Sequence, residues 1–134
     1  MKILFCSVVV LFCFSCSKPS AVAKKLSGCD SLVITFNVHN SDSIINIVNT
    51  TEKKAIRKLA NFLKGDNTMQ YKCGYDGSMV FYKKGEKLMA VVFNYTENGC
   101  RNFLYDMENI LISTRMSNEA ISFLESLAAG RSWY

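Results

Sequence analysis

The sequence predicts an α+β domain. In it an antiparallel sheet of about six to seven strands, arranged as a meander, carries two helices on one face in the order ββαβββββα. Three observations lead there. Apolar and polar residues alternate over short stretches such as Leu32, Ile34, Phe36 and Val38, the period-two signature of a strand with one buried face. The later stretches are divided by Asp76-Gly77, Lys84-Gly85 and Asn98-Gly99, and Asp-Gly and Asn-Gly mark hairpins because both residues adopt positive φ cheaply. Helical periodicity occurs only twice, without the βαβ alternation, Gly-rich phosphate loop or internal repeat that nucleotide-binding and repeat folds require.

Composition sets the bounds. The chain has 134 residues, 49% hydrophobic and 20% charged, with one Pro, one His and six Cys. That is enough apolar surface to offset chain entropy, which excludes a disordered protein, and too little chain for a two-domain enzyme.

Met1 and Lys2 precede an apolar run, Ile3 to Phe14. It is shorter than the roughly 20 residues a membrane-spanning helix needs, and it fits the apolar core of a secretory signal peptide over residues 1–15. Directly after it stand Phe14-Ser15-Cys16-Ser17. Here the chain resembles a bacterial lipoprotein precursor, in which a small residue precedes a Cys that becomes the lipidated first residue of the mature protein. The resemblance implies lipidation at Cys16 and a place in the cell envelope of a Gram-negative bacterium, at the outer membrane or facing the periplasm. An alternative cleavage follows Ala21-Val22-Ala23, a small-x-small site farther from the apolar run. Either route exports the domain.

Residues 16–28 hold the only Pro and little periodicity and are expected to form a flexible tether, leaving a single domain over 29–134. Its first elements are the strand at Leu32–Val38, a turn at His39 to Ser43 and a β-branched strand at Ile44–Val48. A helix is expected over Thr51–Lys64, capped by Asn49 with Glu52 in a capping box and ended by Gly65 in the left-handed conformation. Helical spacing puts Ala55, Ile56, Leu59, Ala60, Phe62 and Leu63 on one side and Lys53, Lys54, Arg57, Lys58 and Lys64 on the other. Strands are then expected at Tyr71–Tyr75, Met79–Tyr82, Leu88–Tyr95, Arg101–Tyr105 and Asn109–Thr114. A last helix starts at Ser117, with Met116 and Ile121 as a hydrophobic staple, and ends at Gly130.

Cys6 and Cys13 fall in the signal and Cys16 is taken by lipid, so Cys29, Cys73 and Cys100 remain for one disulfide and one leftover thiol. Spacing leaves all three pairings open. Cys73–Cys100 is preferred because Cys29 adjoins the tether; that bridge closes a loop of about 27 residues and contributes roughly 3 kcal/mol if unstrained.

Catalytic chemistry finds little footing. His39 is the only imidazole, it sits in a turn, and nothing in the sequence brings a nucleophile to it. The cysteines lack the paired spacing of a metal site, and no pair of carboxylates is set apart by its surroundings. The chain is therefore expected to be no enzyme and to hold no cofactor or metal. The basic helix face reads first as a solvated surface and second as a contact for anionic lipid or an acidic protein; export and the absence of interleaved aromatics argue against nucleic acid. Trp133 and Tyr134 are expected to fold back on the sheet. Asp30-Ser31-Leu32 and Asp42-Ser43-Ile44 resemble the Asp-Ser/Thr-apolar acceptor for O-glycosylation, which implies Ser31 and Ser43 as modification sites.

The functional expectation is a non-enzymatic envelope lipoprotein that binds a protein through the turns Asp76-Gly77 and Asn98-Gly99, as an inhibitor of a protease or an immunity protein against a toxin. Cystatin-type inhibitors also pair a helix with an antiparallel sheet, but their Gln-x-Val-x-Gly loop is missing here. The alternatives are a carrier holding an apolar or anionic small ligand between sheet and helix, and a passive structural lipoprotein.

Overall fold

The computed structural model describes residues 20–69 and 73–131. The signal segment, Cys16 and the Trp133-Tyr134 tail lie outside the described residues. The elements are α1 (Ala21–Lys25), β1 (Ser31–Asn37), β2 (Ile44–Thr50), α2 (Lys53–Phe62), β3 (Gly77–Lys83), β4 (Glu86–Asn94), β5 (Asn102–Met107), β6 (Ile110–Arg115) and α3 (Asn118–Ala128). The α+β class is as expected, and the described residues form six strands and three helices rather than two.

All strand pairs are antiparallel, in the spatial order β2-β1-β3-β4-β5-β6. The sheet is thus not a plain meander. After the β1–β2 hairpin the chain crosses through α2 and returns beside β1, so β1 becomes interior and β2 is left at the edge. The described part of the strand expected at Tyr71–Tyr75 is irregular: the Gly74 and Tyr75 amides donate to the Glu97 and Asn40 side chains, and the chain joins β1 and β4 through backbone bonds to Asn37 and Phe93 only at Asp76.

Period-two burial decides which face carries the helices. Leu32, Ile34 and Phe36 of β1, Met79 and Phe81 of β3, Met89, Val91 and Phe93 of β4, and Phe103 and Tyr105 of β5 are buried together under Ile56, Leu59, Leu63, Leu124 and Leu127. Each such side chain stabilises the fold by about 1.5–3 kcal/mol relative to exposure. Helices α2 and α3 meet through an edge-to-face contact of Phe62 and Phe123, 5.7 Å between centroids. The Tyr105 hydroxyl donates to the Leu63 carbonyl at 3.2 Å, fastening the end of α2 to the sheet.

Several local expectations are corrected. The tether is helical in part: Ser20 caps α1 by accepting from the Ala23 amide, and Val22 and Leu26, one turn apart, enter the core. Cleavage after Ala23 would remove Val22 from that core. Helix α2 starts at Lys53 rather than Thr51, since Asn49 and Thr50 are still paired with Val33 and Leu32. Its N-terminal residue Glu52 makes no side-chain cap; Thr50 Oγ1 accepts from the Glu52 amide instead. Gly65 does not have positive φ. It is glycine because a Cβ there would overlap the Arg115 carbonyl. By contrast, α3 is capped by Ser117 as expected, with Met116 and Ile121 buried beneath it.

Candidate functional site

Three loops converge at one end of the sheet: residues 38–43, 73–76 and 95–101. Asp76 organises them. The expected hairpin turn at Asp76-Gly77 is absent. Gly77 instead begins β3, where a Cβ would overlap the Thr35 carbonyl and press on the Phe93 ring, and Asp76 is buried to 2% exposure. Its Oδ2 accepts from the amides of Tyr95 at 2.8 Å and Thr96 at 3.0 Å, the Thr96 hydroxyl donates to the same carboxylate at 2.9 Å, and His39 Nδ1 lies 2.7 Å from Oδ1. Burial opposes the charge, but the hydrogen bonds from Thr96, His39 and Tyr95 together outweigh it and hold this carboxyl below its usual range.

The neighbouring contacts extend the platform. Asn94, 1% exposed, donates to the Gly74 carbonyl and to Glu97, and accepts from the Glu97 amide. Asn40 accepts from the Tyr75 amide, and the Tyr75 hydroxyl donates to Asp42 at 2.6 Å. The Cys73–Cys100 disulfide ties the second loop to the third. Cys29 remains a thiol, half-buried and donating to the Ser31 carbonyl, with burial pushing its pKa up.

This cluster brings His39 to carboxylates that lie far away in sequence, which residue spacing alone does not reveal. It ties the β1–β2 turn to the other two loops. Because a carboxylate only accepts, Nδ1 carries the proton toward Asp76. Nε2 faces Glu97 at 3.6 Å, and the Thr96 hydroxyl is already donating to Asp76. Acceptors thus lie at both ring nitrogens, and the hydroxyl that contacts the ring is in use. Asn98 and Gly99 are exposed in the third loop and reach the same end of the sheet as Asp76.

The face of the sheet turned away from the helices presents a row that runs from Ile47 through Thr35, Ser78 and Val92 to Leu104. At the top of this face a cleft of about 370 Å³ is lined by Ile44, Gly77, Ser78 and Val92, with Tyr75 and Asp42 at its polar rim. Beside it runs β2, whose seven residues carry no charge and no Pro. Ile44, Ile45 and Ile47 are 57%, 60% and 51% exposed. The opposite edge is managed differently: residues 66–68 lie along β6, with the Arg115 amide donating to Asp66, the Thr68 amide donating to Ser113, and Asn67 bridged to Thr114. Among the described residues β2 pairs with β1 alone. Edge strands are usually blunted by charge, Pro, a bulge or a cover because open backbone groups recruit other chains; β2 carries neither charge nor Pro, and its pairing with β1 shifts register only at its start, beside Phe36 and Asn37.

The remaining predicted residues sit elsewhere. Lys53, Lys54, Arg57 and Lys64 are exposed on the outer side of α2, whereas Lys58 is half-buried, 3.7 Å from Glu119 and over the Phe123 ring at 4.7 Å. Ser43 is exposed in the β1–β2 turn; Ser31 is half-buried and paired with Tyr82. Among the described residues no group of three or more His, Cys, Asp or Glu side chains could hold a metal ion, and no helix is long and apolar enough to cross a membrane. No family model, curated protein or solved structure matches the chain.

Proposed function

We propose that this chain is an exported, lipid-anchored binding protein without catalytic activity, and that it captures an extended polypeptide segment of a protein partner along β2. The observation that carries this reading is the β2 edge: a seven-residue strand, uncharged, paired on one side alone among the described residues, with three isoleucines half-exposed or more, beside an apolar cleft. Such an edge gives affinity through main-chain hydrogen bonds to an added strand. Alternate side chains of that strand would give specificity by entering the Ile44–Val92 cleft. The occupant is therefore an extended segment with apolar residues at alternate positions.

The loop platform supports the same reading. Asp76, the disulfide and the Asn94–Glu97 turn fix the rim of the cleft, so little ordering is needed on binding. The turns first expected to bind divide accordingly: Asp76 is a buried brace, and Asn98-Gly99 is exposed, with Gly99 lining a separate hollow beside Arg101 and Arg115. A ligand held between sheet and helices is less well supported, because Phe36, Phe81, Phe93, Phe103, Leu59 and Leu124 fill that space.

The test is recovery of a partner from envelope extract at micromolar protein, comparing the native chain with an Ile45→Lys/Ile47→Lys variant. Recovery by the native chain and loss in the variant is the expected result. No partner for either, or equal recovery, counts against the reading.

A further inference from the structure

The segment expected to be a passive tether is built into the domain at a particular place. Helix α1 packs beside α2, and between them runs a groove of about 480 Å³. Leu26 and Ile56 are in its lining, with Lys53, Arg57 and Lys64 on the α2 side and Ser27 and Gly28 on the other. Lys24 and Lys25 are exposed on α1, and the Lys83 ammonium lies against Gly28. Neither 20–28 nor 53–65 contains an Asp or Glu. Of the acids flanking them, Asp30 is engaged by the Lys84 amide at 2.8 Å, Glu52 stands at the N-terminus of α2 beside Lys53, and Asp66 follows Gly65. The α2 wall of the groove thus carries three cations, with Lys24 and Lys25 exposed nearby on α1 and few acids close in sequence.

Covalent geometry then fixes where this surface goes. Four peptide units separate Cys16 from Ser20, so their Cα atoms lie at most about 14 Å apart. If Cys16 carries lipid, α1 is held within that distance of the bilayer, less than two Debye lengths at physiological salt. We infer that the α1–α2 groove binds the anionic head groups of the membrane that anchors the chain, orienting the domain so that α2 faces the bilayer. This rests on the proposed lipid anchor. The occupant is set by charge complementarity and by the short reach of the chain: phosphate-bearing lipids are the anions the anchor brings to hand.

The full chain, purified from membranes, is reconstituted with vesicles of phosphatidylcholine alone or with one third phosphatidylglycerol. Flotation is measured, together with labelling of each lysine by a membrane-impermeant amine reagent. Flotation with both vesicle types, and a several-fold fall in labelling of Lys53 and Lys64 on anionic vesicles that is reversed by about 0.5 M salt, is the expected result. A Lys53→Gln/Arg57→Gln/Lys64→Gln variant should lose about tenfold or more of any anion-dependent gain in vesicle partition. Flotation with both types but equal labelling overturns this inference and leaves the anchor standing. Flotation with anionic vesicles alone supports the groove and removes the anchor, and flotation with neither removes both. Protection by an acidic polypeptide such as poly-glutamate equal to that by anionic vesicles would assign the groove to a protein and overturn the inference.

Discussion

The His39 imidazole and the Asp76 carboxylate meet at 2.7 Å across 37 residues of sequence, joining the β1–β2 turn to the lead-in of β3. Through the same carboxylate the β4–β5 loop is drawn in by Tyr95 and Thr96. One buried acid thus fixes the rim of the cleft beside β2, and its charge is linked to the stability of the fold.

Acid should weaken that brace. The folded Asp76 carboxyl titrates below its unfolded value of about 3.8, so below neutrality the unfolded chain takes up its proton first. The contribution is complete above the unfolded pKa and is lost as pH falls through the folded one. Urea unfolding measured from pH 7 to pH 2 should therefore show a loss beginning near pH 4 that is smaller in Asp76→Asn. At pH 7, Asp76→Ala should cost about 3 kcal/mol, since it strands the Tyr95 and Thr96 amides and the His39 ring.

Reduction should loosen the same corner. Breaking Cys73–Cys100 frees a loop of 27 residues and should lower the unfolding free energy by about 3 kcal/mol. Alkylation and mass spectrometry of the oxidised chain should find Cys29 modified and Cys73 and Cys100 protected.

Gly77 should tolerate no side chain, although its φ is not in the left-handed region. A methyl there meets backbone at Thr35 and the Phe93 ring, so Gly77→Ala should destabilise by about 2 kcal/mol or more. At Gly85, where a Cβ finds open space but φ is +77°, the cost should be about 1 kcal/mol. Thermal unfolding of the two variants separates crowding from backbone strain.

These residues mark where sequence reading succeeds and where it stops. Alternation in Leu32–Phe36 and in Met89–Phe93 reports local geometry and identifies strands and their buried face directly. Lys84-Gly85 is a true turn, both residues having positive φ. Asp76-Gly77 carries the same local signal, but its burial is decided by Tyr95, Thr96 and Thr35, all distant in sequence, and the signal misleads. Strand order is likewise long-range: nothing local to β3 says that it pairs with β1 rather than β2. Helix α1 leaves a faint trace, a Ser20 cap with Val22 and Leu26 one turn apart, because five residues are too few for helical periodicity to register. The run Ile44–Val48 signals a strand locally, and only the topology places its isoleucines on an edge of the sheet.

Stability and binding should separate at that edge. Ile45→Lys and Ile47→Lys remove exposed side chains and should shift unfolding by no more than about 0.5 kcal/mol, while blunting the strand against a partner. Urea midpoints within that range establish that any lost binding is not lost folding.

The most direct measurement places a photo-crosslinking amino acid at Ile45 in cells of the native host, with the same residue at exposed Lys87 of β4 as the control. An edge that receives a partner strand predicts a discrete, light-dependent adduct at 45, absent at 87 and abolished by adding Ile47→Lys. No adduct at 45, or the same adducts from both positions, would contradict capture along β2.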